Sequence, residues 1–424
     1  MAAVPGRDGS RPTTEFPLRF GRQPIASPFR KVRGNLHAVR NLGVLVWEIA
    51  TLILRDALLF IEPIAWQLKG EFDLAIKDHD AILRLEPEQS AFWYNRGNAW
   101  YFKKNYDRAL EDFGEAIRLF PRDSVYFCQR AGVWRELKMF DKAIVDCTEA
   151  IRLSPRYELP YHIRGNAWVE CKNYENAIKD YSECIRLDPT GALPYFLRGR
   201  CWLYKRAYDA AIEDCSQALK LDSTDYRSLI NRGVALAGKK KYDQAIQDYD
   251  AALKLAPTFA IGFNNRGSAF QRKGQLEQAL RNYSKAIQLD PKFVLAFTNR
   301  ASLWKQMRDY EKAIRDYGQA IKADPGNGSA YNSLAWLLAT CQEERFRDGP
   351  LAVELAKEAC ELSSWQNMNY VDTLAAAYAE NANFEEAIRY QRMALRNAGF
   401  SRTHGEEARR RLQLYEEKQP FHQK

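Results

Sequence analysis

The sequence predicts an all-α solenoid, because residues of three kinds recur at a fixed interval of 34 positions. A period of this length indicates a stack of supersecondary units, each too small to bury its own apolar face. One series is small, one is alanine without exception and one is proline with a single serine. The small series is Gly97, Ala131, Gly165, Gly199, Gly233, Gly267 and Ala301; the alanines are Ala75, Ala109, Ala143, Ala177, Ala211, Ala245, Ala279 and Ala313; the third series is Pro87, Pro121, Pro155, Pro189, Ser223, Pro257, Pro291 and Pro325.

Residues 90–123 illustrate how one unit is built. Apolar residues recur at helical spacing over two segments, which Lys103-Lys104-Asn105 separates. The pattern predicts two helices joined by a turn, and Pro121 prevents the second helix from continuing. Small residues such as Gly97 and Ala109 let the two helices approach closely, and neighbouring aromatic side chains fill the remaining space as core.

The unit resembles the tetratricopeptide repeat. The resemblance is carried by Trp93, Gly97, Trp100, Tyr106, Ala109, Phe113, Ala116 and Pro121 and by their equivalents along the chain. It implies a right-handed α-α superhelical solenoid of 34-residue helix-turn-helix repeats, with the first helix of each unit on the concave face. Leu334-Ala-Trp-Leu-Leu-Ala-Thr-Cys, Arg347-Asp-Gly and Asp372-Thr-Leu-Ala-Ala-Ala-Tyr also resemble the C-terminal part of repeat proteins from planctomycetes and other environmental bacteria.

The repeats define the expected organisation of the chain. We expect a disordered basic segment at 1–41, and an apolar helix with a degenerate first repeat at 42–89. Seven regular repeats should follow at 90–327, and two degenerate repeats at 328–401, the first widened in its turn. A capping helix and tail should occupy 402–424.

Two polar series predict an ion pair in each repeat. Arginine stands seven times just before the small residue, from Arg96 to Arg300, and an acid follows sixteen positions later in six of the units. A lone buried arginine is costly, so the two series are best explained as one guanidinium–carboxylate pair between the helices of a unit.

Composition argues against several kinds of partner and cofactor. The net charge is +9, but residues 1–41 hold eight basic against two acidic residues, so the repeats carry little net charge and no nucleic-acid partner is expected. Arg409-Arg410-Arg411 is expected on a solvated helix face. The eight cysteines contain no Cys-x-x-Cys pair and are expected to be buried apolar residues in a reducing, cytoplasmic compartment. We expect neither a metal site nor a cofactor.

Residues 42–61 are strongly apolar, and on a helix Glu48, Arg55 and Glu62 would form one narrow polar stripe. The charges disfavour a transmembrane helix, and the long basic leader disfavours a cleaved signal. Three hypotheses remain for this segment: a helix capping the first repeat, a membrane-surface helix that gives peripheral membrane contact, and a self-association surface. The oligomeric state is left open.

No catalytic motif is present, so the chain is not expected to be an enzyme. The remaining chemistry is recognition of a protein or an extended peptide on the concave face. Asparagine amides there can pair with a peptide backbone of any sequence, although they are equally compatible with solvated helix positions. The candidate peptide-binding residues are Asn95, Asn98, Asn166, Phe196, Tyr204, Asn231, Asn264, Asn265, Asn299 and Asn332. A ladder of Asn231, Asn265 and Asn299 resembles that of the repeat domain of O-GlcNAc transferase.

The sequence therefore predicts a non-catalytic protein- or peptide-binding scaffold. One alternative is a membrane-recruited adaptor, in which residues 1–61 attach to a membrane surface or a partner. Another is a non-catalytic subunit of a larger enzyme complex.

Overall fold

The structure is a computed structural model that describes residues 69–423. The segments 1–41 and 42–61, and with them the three hypotheses for 42–61, lie outside this range. Regular structure in the described residues is entirely helical, with twenty α-helices, one short 3-10 helix and no strand. The prediction of an all-α repeat fold is confirmed. The described residues divide into two compact units, an N-terminal unit (69–205) and a C-terminal unit (206–423).

The N-terminal unit contains eight helices, and each one packs against the next. They are α1 (Phe72–Leu85), α2 (Ser90–Phe102), α3 (Tyr106–Leu119), α4 (Ser124–Glu136), α5 (Phe140–Leu153), α6 (Glu158–Glu170), α7 (Tyr174–Leu187) and α8 (Ala192–Tyr204).

The C-terminal unit contains twelve α-helices, again packed in chain order. They are α9 (Tyr208–Leu221), α10 (Tyr226–Gly238), α11 (Tyr242–Leu255), α12 (Ala260–Arg272), α13 (Leu276–Leu289), α14 (Val294–Gln306), α15 (Tyr310–Ala323), α16 (Gly328–Thr340), α17 (Gly349–Leu362), α18 (Met368–Glu380), α19 (Phe384–Arg396) and α20 (Ala398–Glu416). A 3-10 helix, Glu344–Phe346, interrupts the connection between α16 and α17.

The turn between the two helices of a repeat has the same backbone geometry along the chain. The second residue after the first helix takes a left-handed conformation, with φ of 61° at Lys104 and 59° at Lys138. A polar cap then starts several second helices; for example, the Asn105 side chain accepts a hydrogen bond from the backbone N–H of Arg108. This fixed turn sets the packing of each helix pair.

The core lies between paired helices, where the small series meets aromatic rings. Phe113, Tyr181, Tyr249 and Tyr283 are at most 1% exposed. Each ring lies against a glycine of the first helix, so that a Cβ added at Gly233 would stand only 2.5 Å from Tyr249 Cε1. The small series is therefore required by close packing of the helices.

Two expectations about buried and exposed residues are wrong. Cys171 is exposed although the other seven cysteines are buried, because it follows the last residue of α6 and is outside the helix contact. Arg411 does not lie on a solvated face. It is 5% exposed and its Nη2 atom donates to both carboxylate oxygens of Asp372, at 2.8 Å each. A partner on α18 thus turns one residue of a basic cluster inward.

Candidate functional site

Arginines position the first helices, and the predicted ion pairs are confirmed within repeats. Arg96 donates from Nε and Nη2 to the two oxygens of Asp112, at 2.8 and 2.7 Å, which gives a bidentate pair. Arg266 instead donates to the amide oxygen of Asn282 at 2.8 Å. The same two-bond pairing occurs in Arg130–Asp146, Arg164–Asp180, Arg232–Asp248 and Arg300–Asp316.

A further polar series was missed by the sequence analysis. In six of the seven arginines of this series, all except Arg130, the Nη1 atom reaches a side chain on the second helix of the preceding repeat, sixteen residues earlier. Arg96 meets Asp80 there, at 2.6 Å, and Arg300 meets the Ser284 hydroxyl, at 3.0 Å. The signal was present as a weak 34-residue series of Ser, Thr and Asp. Each such arginine therefore links two successive repeats as well as two helices.

Side-chain hydrogen bonds also join the first helices of successive repeats directly. In the C-terminal unit, Asn299 Nδ2 donates to Asn264 Oδ1 at 2.8 Å, and Gln271 Nε2 donates to Gln306 Oε1 at 3.1 Å. In the N-terminal unit, Gln129 Nε2 reaches the Tyr94 hydroxyl at 3.5 Å. All three bonds connect residues 35 positions apart, so the first helices share a polar face.

Burial decides which of the proposed amides a partner can reach in the C-terminal unit. The sequence predicts that Asn231, Asn264 and Asn265 face an open groove, but this is wrong: all three are fully buried, and Asn264 is held by Asn299 of the next first helix. Asn299 and Asn332 are partly exposed. The role of these asparagines in peptide binding stays a prediction, and direct contact is now expected only at the latter two.

Open hydrogen-bonding atoms remain on Asn299 and Asn332. The Nδ2 atom of Asn299 is used by Asn264, whereas its Oδ1 atom has no partner in residues 69–423 and retains access to solvent. Asn332 has the opposite arrangement, with Oδ1 buried and Nδ2 open. One acceptor and one donor on successive repeats complement the N–H and C=O groups of a peptide backbone.

The open acceptor of Asn299 is on the same face of α14 as a polar cavity of about 300 Å³. Ser302, Lys305 and Gln306 line the cavity from α14, and Gln423 lines it from the end of the described chain. Burial lowers the pKa of the Lys305 ammonium. The cavity extends the polar surface that begins at Asn299.

An extended stretch of the chain itself lies on the first-helix face of α16. Residues 419–423 are not helical, and the Phe421 ring lies 6.2 Å from the ring of Trp336. The backbone N–H of Gln423 donates to the carbonyl of Thr340 at 2.8 Å. Asn332, Trp336 and Thr340 are four residues apart and therefore share one face of α16.

The site residues predicted in the N-terminal unit fall into different environments. Asn98 is buried, and Asn95 is partly exposed. Asn166 Oδ1 accepts a hydrogen bond from the Tyr181 hydroxyl at 2.9 Å. The predicted aromatic anchors also differ. Phe196 is 4% exposed, whereas Tyr204 is 40% exposed and stacks on Tyr174 with ring centroids 4.7 Å apart.

Arg200 was not predicted, although it occupies the same repeat position as Asn98 and Asn166. Its guanidinium lies 5.8 Å from the Phe196 ring. Burial, together with the charges of Arg135 and Arg200, lowers the pKa of His162 from 6.5 to about 4. Arg200 is the one charged residue at this repeat position between Asn98 and Trp336, and that was the available signal.

The helix pairs coincide with matches to known repeat families. Residues 90–123, 226–259 and 260–293 match a family model described as tetratricopeptide repeat. Residues 299–362 and 160–190 match two further models with the same description. The fold thus defines a class of helical-repeat scaffold that typically binds proteins or peptides. The chain is a tetratricopeptide-repeat protein.

Three solved structures are similar to parts of the chain. A tetratricopeptide repeat protein from Parabacteroides merdae ATCC 43184 is 15% identical, with a TM-score of 0.50 over 64% of this chain and 98% of its own. YrrB, described as a TPR protein with an unusual peptide-binding site, is 23% identical, with a TM-score of 0.39 over 44% of this chain and 97% of its own. MamA from Desulfovibrio magneticus RS-1 is 20% identical, with a TM-score of 0.36 over 40% of this chain and 95% of its own. No curated protein matches the chain.

Proposed function

We propose that the chain is a non-catalytic scaffold that binds an extended protein segment on the first-helix face of its C-terminal unit. The observation that carries the proposal is the internal segment 419–423, which lies on α16 in a non-helical conformation. It uses a backbone N–H bond to Thr340 and a ring contact with Trp336, both of which a partner segment could reproduce.

The open acceptor of Asn299 and the open donor of Asn332 extend this surface beyond the internal segment. Backbone groups carry no side-chain information, so these amides would hold partners of different sequence with similar strength. The cavity beside Lys305 would then receive a partner side chain and contribute selectivity. Among the helices of residues 69–423, none combines the length and apolar character needed for a membrane span. The membrane-adaptor hypothesis concerns residues outside this range.

Selection of peptides from a displayed random library against the full chain tests the proposal. The affinity of the selected peptides is then measured for the wild type and for N299A/N332A. Loss of two hydrogen bonds, at roughly 1 kcal/mol each, should weaken binding by about 30-fold, and by a similar factor for unrelated peptide sequences. F421A should bind more tightly, because it weakens the hold of the internal segment on Trp336.

Q319A is the matched control, since Gln319 is an exposed polar residue on α15, the second helix of the repeat that contains Asn299. Its peptide affinity should equal that of the wild type. The proposal is wrong if the library yields no binding peptide, or if N299A/N332A, folded by circular dichroism, binds the selected peptides as tightly as the control does.

A further inference from the structure

Arg200 is a buried guanidinium that lacks the partner its burial calls for. Arg200 and Arg411, 8% and 5% exposed, are the two arginines classed as buried among the described residues. Arg411 is neutralised by Asp372. For Arg200, no carboxylate or other acceptor within residues 69–423 lies at hydrogen-bonding distance. An uncompensated buried charge is costly, so its presence indicates a partner supplied from outside the described residues.

The orientation of Arg200 leaves its donors available. Its Nε atom is buried without an acceptor in the described part of the chain, while the two terminal nitrogens keep access to solvent. The Phe196 ring, 5.8 Å from the guanidinium carbon, provides an apolar floor. The exposed edge of the guanidinium is therefore a planar pair of donors, the geometry that matches a carboxylate.

His162 lies on α6, the first helix of the preceding repeat, and supplies a second polar group. Its Nε2 atom is buried with no hydrogen-bond partner in residues 69–423, and its ring lies 6.3 Å from that of Tyr181. The charge of Arg200 acts on both rings: it lowers the pKa of His162, and it opposes the rise that burial causes in the pKa of Tyr181. The imidazole is consequently neutral near pH 7 and serves as a hydrogen-bonding group.

The net charge of the site is therefore close to one positive unit. The nearby Arg135 guanidinium donates to Glu136 at 2.8 Å and is compensated. A single positive charge with a neutral imidazole suits a carboxylate, which carries one negative charge, better than a phosphate, which carries nearly two at neutral pH.

We propose that Arg200 and His162 bind the carboxylate of an Asp or Glu side chain in a protein segment that lies on the first-helix face of the N-terminal unit. The inference rests on the proposed function only in taking a protein segment as the ligand. Its residues are separate from Asn299 and Asn332, so either site can fail alone.

The test uses full-length protein and three probes: the capped peptide acetyl-Ala-Glu-Ala-amide, its Gln counterpart, and inorganic phosphate. In the wild type, binding is followed through the side-chain Nε and Cζ NMR signals of Arg200, assigned with R200M. In all variants, including those at Arg200, it is followed through the backbone amide signals of α6 and α8. The Glu peptide should shift these signals saturably, and the Gln peptide should not. Phosphate should bind at least tenfold more weakly than the Glu peptide.

Variants separate a binding role from a structural one. R200K keeps the charge but lacks the planar donor pair, and H162F removes the imidazole. Each of these two single variants should weaken binding of the Glu peptide by roughly fivefold, which corresponds to the loss of about one hydrogen bond. R200M should abolish binding and raise the denaturation midpoint of the free protein, because an unpaired buried charge is removed. R411M is the contrasting variant, and its midpoint should fall, since Asp372 loses its partner.

The assignment is overturned if the Gln peptide binds as well as the Glu peptide, if R200M retains binding, or if no probe binds saturably. If phosphate bound more tightly than the Glu peptide, the site would have to be assigned to a phosphorylated ligand rather than to a carboxylate. A lower denaturation midpoint for R200M would make Arg200 a structural residue. N299A/N332A should bind the Glu peptide as tightly as the wild type does. A failure of the Arg200 site can therefore be told apart from a failure of the proposed function.

Discussion

Replacing Gly233 by alanine tests whether ring-to-helix packing sets the small-residue series. The added Cβ would lie 2.5 Å from Tyr249 Cε1 and 2.9 Å from Cδ1, whereas carbon atoms normally pack at about 3.5–4.0 Å. The Tyr249 ring is 0% exposed and cannot turn into solvent. The helices α10 and α11 must therefore separate by roughly 1 Å, an overpacking that costs about 1–3 kcal/mol.

Helix propensity acts in the opposite direction and must be subtracted. Alanine is better than glycine inside a helix by about 1 kcal/mol. G233A should thus destabilise α10 and α11 by a net of about 0–2 kcal/mol, and by about 1–3 kcal/mol relative to an added alanine that meets no ring. Gly318 in α15 is the matched control, because nothing lies within 4 Å of its added Cβ, and G318A should stabilise by up to about 1 kcal/mol.

Hydrogen exchange resolved by helix is the appropriate assay, since repeat arrays open locally and a single unfolding midpoint averages over them. Protection should fall in α10 and α11 for G233A and rise in α15 for G318A. The double variant G233A/Y249C should recover part of the loss, as the chain pairs Ala131 with Cys147 at the equivalent positions. A gain of protection in G233A as large as that in G318A would refute the packing argument.

Two further predictions follow from the buried polar groups. D248N should lower the denaturation midpoint, because Arg232 loses its charged partner. Adding S216D to D248N should restore much of the midpoint, since the repeat of Arg266 already combines Asn282 with an aspartate, Asp250, at the position equivalent to Ser216. A rescue of equal size by S216A would contradict this. Burial, reinforced by the charge of Arg96, lowers the pKa of His79 from 6.5 to about 4, so the folded state binds fewer protons than the unfolded state between these values. Stability should fall as pH drops from 6.5 to 4, by up to about 3 kcal/mol from this residue, and H79F should flatten that slope in pH-dependent urea titrations.

The repeat could be predicted from the residues alone, because periodicity records local structure. The 34-residue interval predicted where helices begin and end, and the small and aromatic series predicted which faces pack. The arginine and aspartate series predicted pairs that the structure contains, such as Arg96 with Asp112. These features depend on neighbours within one helix pair, so each repeat presents the same evidence again.

Which polar groups are open and which are covered depends on how the helices pack together in three dimensions. Asn265 and Asn299 occupy the same repeat position, yet one is fully buried and the other is partly exposed. Arg411 donates a hydrogen bond to Asp372, 39 residues away in the sequence, whereas Arg200 has no acceptor in the described part of the chain. The placement of Phe421 on Trp336 likewise joins distant segments. Exposure depends on side chains contributed by other helices, and a periodic pattern contains no information about those contacts.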